Sequence, residues 1–420
     1  MSRRLVNAAN LLKYRIMLLA AYCWRRLLFR TRFIAITGSV GKTTTKNLLA
    51  TILRDMPALT LAGTRSSNTA KQIARDLLSV RPWHRFVVLE VGTDRPGWIR
   101  RSAWLIGPDM AIILSVARTH TNNFRTLEDT AAEKATLLGG LRRKGVAILN
   151  SDDRRVAAMA ANCPARVVRF GCASDADVRA SNVSSRWPQR LSFAVTARGV
   201  TEVVRSQLVG THWTPAVLGA IAAALECGMS PAQAAALVSR VPPTTARMDP
   251  RILPCGAVIL RDDFNGSLDT FLAAFETLKS AHAQRKFLVI TTVGDSPESW
   301  NRRMILIAAE ASTVVNVLVL VGRGRDTKGA GKAALAGGLT PDGLLQFESL
   351  KSAAMFLKST LRFGDLVLLR GMPPEHVARL YHAQLREVNC WIDDCRKPIL
   401  CDQCPELYGK PAGPGVEENF

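Results

Sequence analysis

The chain has little that would send it across a membrane or onto nucleic acid. It carries no signal-cleavage pattern and no internal repeat. A reducing cytosol is therefore the expected compartment. The longest uncharged run in the first 32 residues, Ile16 to Trp24, is nine residues. That is too short to span a bilayer. There are only four tyrosines. A stacking surface for nucleic acid is therefore not expected. Those first 32 residues also hold no acid.

What is present is positive charge. The formal net charge is +22 over 420 residues, most of the excess being arginine spread along the chain. Acidic metabolites, an anionic membrane face or nucleic acid could answer such a charge, and so could a general basic bias without a partner. Residues 1–32 carry eight Arg/Lys, and Leu5, Ala9, Leu12, Ile16, Leu19 and Cys23 recur at helical spacing. Two readings stay open. The helix lies on an anionic membrane surface, at the inner face, or it packs on the protein with its basic edge in water.

From Phe33 the pattern is α/β. FIAIT (33–37), FVVLEVG (86–92), AIILSV (111–116) and VAILN (146–150) read as buried strands of a mainly parallel sheet. A Pro-rich break, VPPTTARMDP (241–250), precedes further apolar runs at 257–263, 286–295, 317–322 and 365–371. The expected organisation is a basic helix over 1–32 and a P-loop central domain over 33–243. A smaller Rossmann-like α/β domain over 244–386 and a Cys-rich tail over 387–420 follow.

The stretch IAITGSVGKTTTKNLLA (34–50) carries the chemistry. The common phosphate-binding loop reads Gly-x-x-x-x-Gly-Lys-Ser/Thr. Here Ile36 stands where its first glycine belongs, and Gly38 comes two residues late. Strand, loop and helix nevertheless follow in the right order. Backbone N–H groups of Gly38, Ser39, Val40 and Gly41 and the helix start at Lys42, Thr43 and Thr44 can hold the phosphates of ATP. Lys42 can reach the terminal phosphates, and the Thr43 hydroxyl can ligate Mg²⁺. Glu90 ends an apolar strand, where an acid can meet Mg²⁺ beyond the sheet edge.

The shortened loop T-G-x-x-G-K-T resembles that of the Mur ligases, most closely the branch that adds D-alanyl-D-alanine to a muramyl tripeptide. His120, Phe124 and Lys134, fourteen residues after the His, resemble that branch, as does KGVAILNSDD (144–153). The resemblance implies an ATP-dependent, ADP-forming ligase. It activates a carboxylate as an acyl phosphate for attack by an amine, both being small-molecule substrates, in cell-wall or related synthesis. It also implies that Lys134 is carbamylated and holds a second Mg²⁺ with His120. A carbamate supplies the oxygen ligands that an amine cannot. One departure is Thr136, where the family has Glu. Asn68 and Thr69 resemble a substrate-side loop.

Weaker likenesses continue downstream. In GTHWTPAVLGA (210–220), Trp213 and Ala216 replace asparagines, and Trp213 is expected in the core. Arg247, Asp262 and Asn265 resemble nucleotide contacts of the family. Arg370 and Met372 stand where the branch has Lys and Ser, so an altered amine pocket is expected. Only 32 residues precede Phe33, and the UDP-binding domain of that branch is expected to be absent.

The tail spacing Cys390-x4-Cys395-x5-Cys401-x2-Cys404 fits a structural Zn²⁺. Two further readings of the whole chain remain: a P-loop ATPase that works on nucleic acid, and a catalytically lapsed scaffold at the membrane surface.

Overall fold

The computed structural model describes residues 3–409 except 57–58, 64–68, 119–122, 265, 295–297, 323–326, 394, 396 and 398; in residues 3–9 and at Leu59 only the backbone is described. The chain divides into two compact units. One runs to Pro242 apart from 186–189 and 208–210; the other takes those two segments and everything from Pro243 on.

The first unit is built on a nine-stranded sheet. Its strands are β1 (Arg32–Thr37), β2 (Leu59–Ala62), β3 (His84–Glu90), β4 (Met110–Ile113), β5 (Val146–Asn150), β6 (Arg166–Gly171), β7 (Val178–Ser184), β8 (Ser192–Ala197) and β9 (Val200–Arg205). Their order is β2-β3-β1-β4-β5-β6-β7-β8-β9. The strands through β7 pair in parallel, and β7-β8-β9 is antiparallel. Helices α1 (Arg3–Leu27), α2 (Lys42–Arg54), α3 (Ala70–Ser79), α4 (Trp98–Ile106), α5 (Leu127–Ala135), α6 (Arg154–Ala158), α7 (Thr214–Glu226) and α8 (Pro231–Val238) complete the unit.

Apolar runs in β1, β3, β4 and β5 are buried along nearly their whole length, as a parallel strand covered on both faces requires. β1 lies between β3 and β4; the chain leaves it for β2 on the β3 side and later crosses from β3 to β4 on the other. Such a switch point is where open α/β sheets place their ligands.

Helix α1 is part of this unit. Ala21 and Leu28 join the core with Phe33, Leu77 and Ile106, and Met17, Leu18, Tyr22 and Trp24 pack against it. Arg25 is a buried bolt. Its Nε donates to the Ile106 carbonyl at 2.6 Å, its Nη2 to the Gly107 carbonyl at 2.8 Å and to Asp109 at 3.3 Å. Burial pulls its pKa down to about 10, against the opposing pull of Asp109.

The second unit holds a six-stranded sheet of β10 (Asp249–Ile252), β11 (Val258–Asp262), β12 (Arg285–Ile290), β13 (Val317–Val321), β14 (Leu344–Phe347) and β15 (Asp365–Arg370). The order is β10-β11-β15-β12-β13-β14, parallel except for β10. The tail packs on this unit. Asp402 receives two hydrogen bonds from Arg261, at 2.6 and 3.0 Å, and Cys401 and Leu407 enter the core.

The Arg25 anchor predicts a large cost for its loss. Arg25→Ala strands two carbonyls and half-frees Asp109, and unit stability falls by about 2–3 kcal/mol. Chemical denaturation of the wild type and the variant measures the difference.

Candidate active site

At the end of β1 the chain turns through Gly38–Gly41 into α2. A Cβ on Gly38 would stand 2.9 Å from the Leu114 Cβ and 3.2 Å from the Ser115 nitrogen, so only glycine lets the loop lie this close to the segment after β4. Ser39 N–H donates to the Ser115 carbonyl at 2.9 Å, and Val40 N–H to the Ser115 hydroxyl at 3.3 Å. The Ser39 hydroxyl in turn accepts from Ala117 N–H at 2.9 Å. Gly41, at φ 87°, is the N-cap of α2 and supplies no side-chain cap. A left-handed glycine followed by an uncapped helix start is the geometry that receives an anion.

The side chains of the loop suit a nucleotide's phosphates. Lys42 Nζ donates to the Gly38 and Ser39 carbonyls at 2.7 and 3.3 Å, which keeps the amine over the loop. The buried Thr44 hydroxyl has no hydrogen-bond partner among the described residues. An orphaned donor there fits a phosphate oxygen. Thr43 donates to Glu90 Oε2 at 2.8 Å, both side chains being buried. The register explains the meeting, since Glu90 pairs with Ile36 just before the loop. A hydroxyl and a carboxylate so joined form an oxygen pair suited to Mg²⁺.

Lys134 lies in the last turn of α5, which a Thr126–Asp129 capping box starts. Its side chain is buried, and burial lowers its pKa to about 7, with the Lys42 charge lowering it further and Glu133 raising it. Lys134 and Lys42 are therefore electrostatic neighbours although 92 residues separate them (134 − 42). A buried amine with so low a pKa is partly neutral, hence nucleophilic, near neutral pH.

Glu133 was not anticipated from sequence. Its carboxylate accepts from Gly97 N–H at 2.7 Å and Ile99 N–H at 2.8 Å, capping α4 and tying the end of α5 to it. The partners are backbone groups 34 and 36 residues away, so no local signal marks the residue. Thr136, in place of the family Glu, donates its hydroxyl to the Glu133 carbonyl at 2.6 Å.

Other sequence expectations fall elsewhere. His120, Asn68 and Asn265 lie outside the described residues. Thr69 is the N-cap of α3, accepting from Gln72 N–H. Trp213 and Ala216 are buried. In the second unit, Arg247 sits over the Phe264 ring at 4.8 Å, between two left-handed residues, Ala246 and Met248. Asp262 accepts from Met248 N–H at 3.1 Å and ion-pairs with Arg370, its partner in the β11–β15 register. Arg370 is fully buried, and burial lowers its pKa to about 9.

Burial pushes the Cys401 pKa up to about 12, with Arg379 opposing the rise and Cys404, Cys390 and Cys395 adding to it. Among the described residues no group of three or more His, Cys, Asp or Glu is placed to hold a metal ion.

The Lys134 environment sets a pH dependence of stability. The folded pKa of about 7 lies below the ordinary 10.5. Between those values the unfolded chain binds the extra proton, so stability climbs as pH rises through the window. Below about pH 7 the full penalty applies. Denaturation of the wild type in CO₂-free buffer is expected to show this climb, and Lys134→Met to flatten it.

Comparisons with known proteins agree with this geometry. The Mur ligase middle domain matches residues 36–224, which hold the loop, Glu90 and Lys134. The UDP-N-acetylmuramoyl-tripeptide–D-alanyl-D-alanine ligase of Mycobacterium bovis is 29% identical over 377 residues, 85% of this chain and 73% of that protein. A crystal structure of MurF from Acinetobacter baumannii superposes with a TM-score of 0.78 at 23% identity, covering 88% of this chain and 79% of that one. The MurF ligase of Thermotoga maritima in complex with ADP gives 0.76 at 17% identity, covering 88% and 83%. At such identities the two structures speak for the fold, while the domain match and the mycobacterial relative speak for descent. Residues 36–224 thus match the Mur ligase middle domain, and the chain as a whole is similar to Mur ligases.

Proposed function

We propose that this chain is an ATP-dependent, ADP-forming ligase that joins a carboxylate to an amine through an acyl phosphate. One observation carries the site assignment: the Lys134 amine is buried within the field of Lys42 on the P-loop, whose next residue, Thr43, bonds Glu90. In this reading residues 33–243 bind ATP and residues 244–386 form the C-terminal domain.

The roles follow from the chemistry of each group. The N–H groups at the start of α2 and Lys42 would hold the phosphates, and Lys42 would offset charge that builds up during transfer. Thr43 and Glu90 hold one Mg²⁺. On resemblance to the family, Lys134 as its carbamate and His120 would hold a second. Magnesium supplies charge neutralisation between the nucleotide and the activated acid. Carbamylation needs only CO₂. The neutral Lys134 nitrogen donates its lone pair to the carbon, an N–C bond forms, and the nitrogen loses a proton to solvent. The product is an anion beside Lys42 where a cation stood, so repulsion becomes attraction. Arg247, Asp262 and Asn265 enter as nucleotide contacts on resemblance to the family.

The relatives' names give the substrate class. A muramyl-peptide carboxylate and an amino-acid-type amine are the substrates we propose, in peptidoglycan or related synthesis. Arg370 and Met372 favour an amine other than D-alanyl-D-alanine, because the Arg370 charge is already matched by Asp262. We place the enzyme in the cytoplasm, with residues 1–32 touching the inner face of the membrane. A zinc ion in the tail rests on the spacing of Cys390, Cys395, Cys401 and Cys404 alone.

Two measurements test this. ADP release is expected to rise when a carboxylate and an amine are supplied together. Lys134→Ala then loses on the order of 100-fold or more, and an added short-chain carboxylate restores part of it. ATP binding without turnover over a broad acceptor set would point to a lapsed scaffold instead. For the tail, elemental analysis is expected to find one zinc per chain, lowered in Cys401→Ser. A metal-free chain with a protease-resistant tail contradicts the zinc.

A further inference from the structure

Helix α1 carries apolar residues on two opposite faces, and the protein covers one of them. At about 100° per residue, Leu12, Ile16, Leu19, Cys23 and Leu27 fall within roughly 80° of one another. Four of them are large and apolar, and they stand well exposed: Leu12 59%, Ile16 57%, Leu19 62% and Leu27 66%. Cys23 is exposed and free. Ala21, Arg25 and Leu28, on the opposite side, are buried against the unit. An unpartnered stripe of this length on a helix already packed by its other face marks a contact surface rather than an unfinished core.

The surroundings of the stripe say what covers it. Lys13 and Arg15, both exposed, flank it on either side, and exposed Arg26 lies on the Arg15 side. Phe29 and Arg30, exposed as well, extend the same mixture past the helix end. The first 32 residues contain eight Arg/Lys and no acid. Trp104 of α4, half exposed, stacks on Tyr22 at 4.2 Å and lies under Arg26. Apolar residues framed by cations, with an amphipathic aromatic at the edge, match the boundary between acyl chains and anionic headgroups. No described helix is long and apolar enough to cross a membrane, so this contact is one of lying on the surface.

We propose that the outward stripe of α1, Leu12–Ile16–Leu19–Cys23–Leu27, is a docking face for an anionic phospholipid surface. The inference deepens the membrane contact given under Proposed function, and it stands or falls separately from the ligase reading. The face is fixed with respect to the first unit. Arg25 ties α1 to the Ile106 and Gly107 carbonyls, Arg26 donates to the Leu105 and Trp104 carbonyls at 2.9 Å, and Trp24 Nε1 donates to the Val80 carbonyl at 2.9 Å. Docking through α1 therefore orients the whole first unit on the lipid plane. It does not tether the unit through a flexible arm.

The test uses the full chain and sedimentation with vesicles of phosphatidylcholine alone or with added phosphatidylglycerol. The wild type is expected to bind the anionic vesicles about 10-fold or more tighter than the neutral ones, and less tightly as salt rises. Ile16→Glu/Leu19→Glu changes only exposed positions. It is expected to lower anionic-vesicle binding about 10-fold or more, while ADP release in solution and the unfolding midpoint stay at wild-type values. Lys13→Ala/Arg15→Ala is expected to weaken binding and flatten its salt dependence. Equal binding to both vesicles, no binding to either, or wild-type binding by Ile16→Glu/Leu19→Glu overturns the proposal. So does a wild-type dimer in solution that this pair of substitutions turns into monomer, which would assign the stripe to a second copy of the chain.

Discussion

Burial of one amine beside another organises the first unit. Lys134 is buried within the field of Lys42, and a low-dielectric setting makes their repulsion costly. The fold tolerates this because neither residue is free to leave. Lys42 opens α2 directly from β1 and bonds the loop carbonyls. Lys134 rides on a helix capped by Thr126 and Asp129 at one end and fastened to α4 by Glu133 at the other. A site that concentrates positive charge in this way is prepared for anions, such as phosphates over the loop and the carbamate proposed for Lys134.

The second unit treats charge in the opposite manner. At its carboxyl edge, Asp262 and Arg370 neutralise each other in register, and Ser267 and Thr270 take further bonds from the guanidinium. Arg261 is clasped by Asp263 and Asp402, which also fastens the tail. Buried pairs of this kind define geometry more than they add stability. Met372, just beyond Arg370, packs against Gly266 and Gly294, where a Cβ would meet its side chain at 2.5 and 3.0 Å.

What could be read from the sequence was what is local. The loop from Thr37 to Thr44 is a run of consecutive residues, and β1, β3, β4 and β5 are continuous apolar stretches. The sheet beyond β5 escaped notice; β7, β8 and β9 alternate, and the burial of β8 switches at every residue. Half-covered antiparallel strands do not show the solid apolar runs that mark buried parallel ones. Glu133 and Ser115 were illegible for another reason, since they act on backbone groups far away in sequence. In α1 the helical spacing was visible, but the choice of face was not. The apolar stripe turned outward, and the inner face is held by Arg25, a residue whose charge alone would have put it in water. In the tail, the cysteine spacing was plain, while the order there comes from Asp402 and Leu407.

The account turns on whether Lys134 takes up CO₂ in place. The most direct measurement is ¹³C NMR of the full chain equilibrated with ¹³C-bicarbonate, recorded with and without Mg²⁺ and ADP. A single slow-exchanging carbamate carbon, strengthened by Mg²⁺ and ADP and missing in Lys134→Ala, is the result expected. No such signal in the wild type under loaded conditions, or one that persists in Lys134→Ala, would contradict the assignment of Lys134 and the metal site built on it.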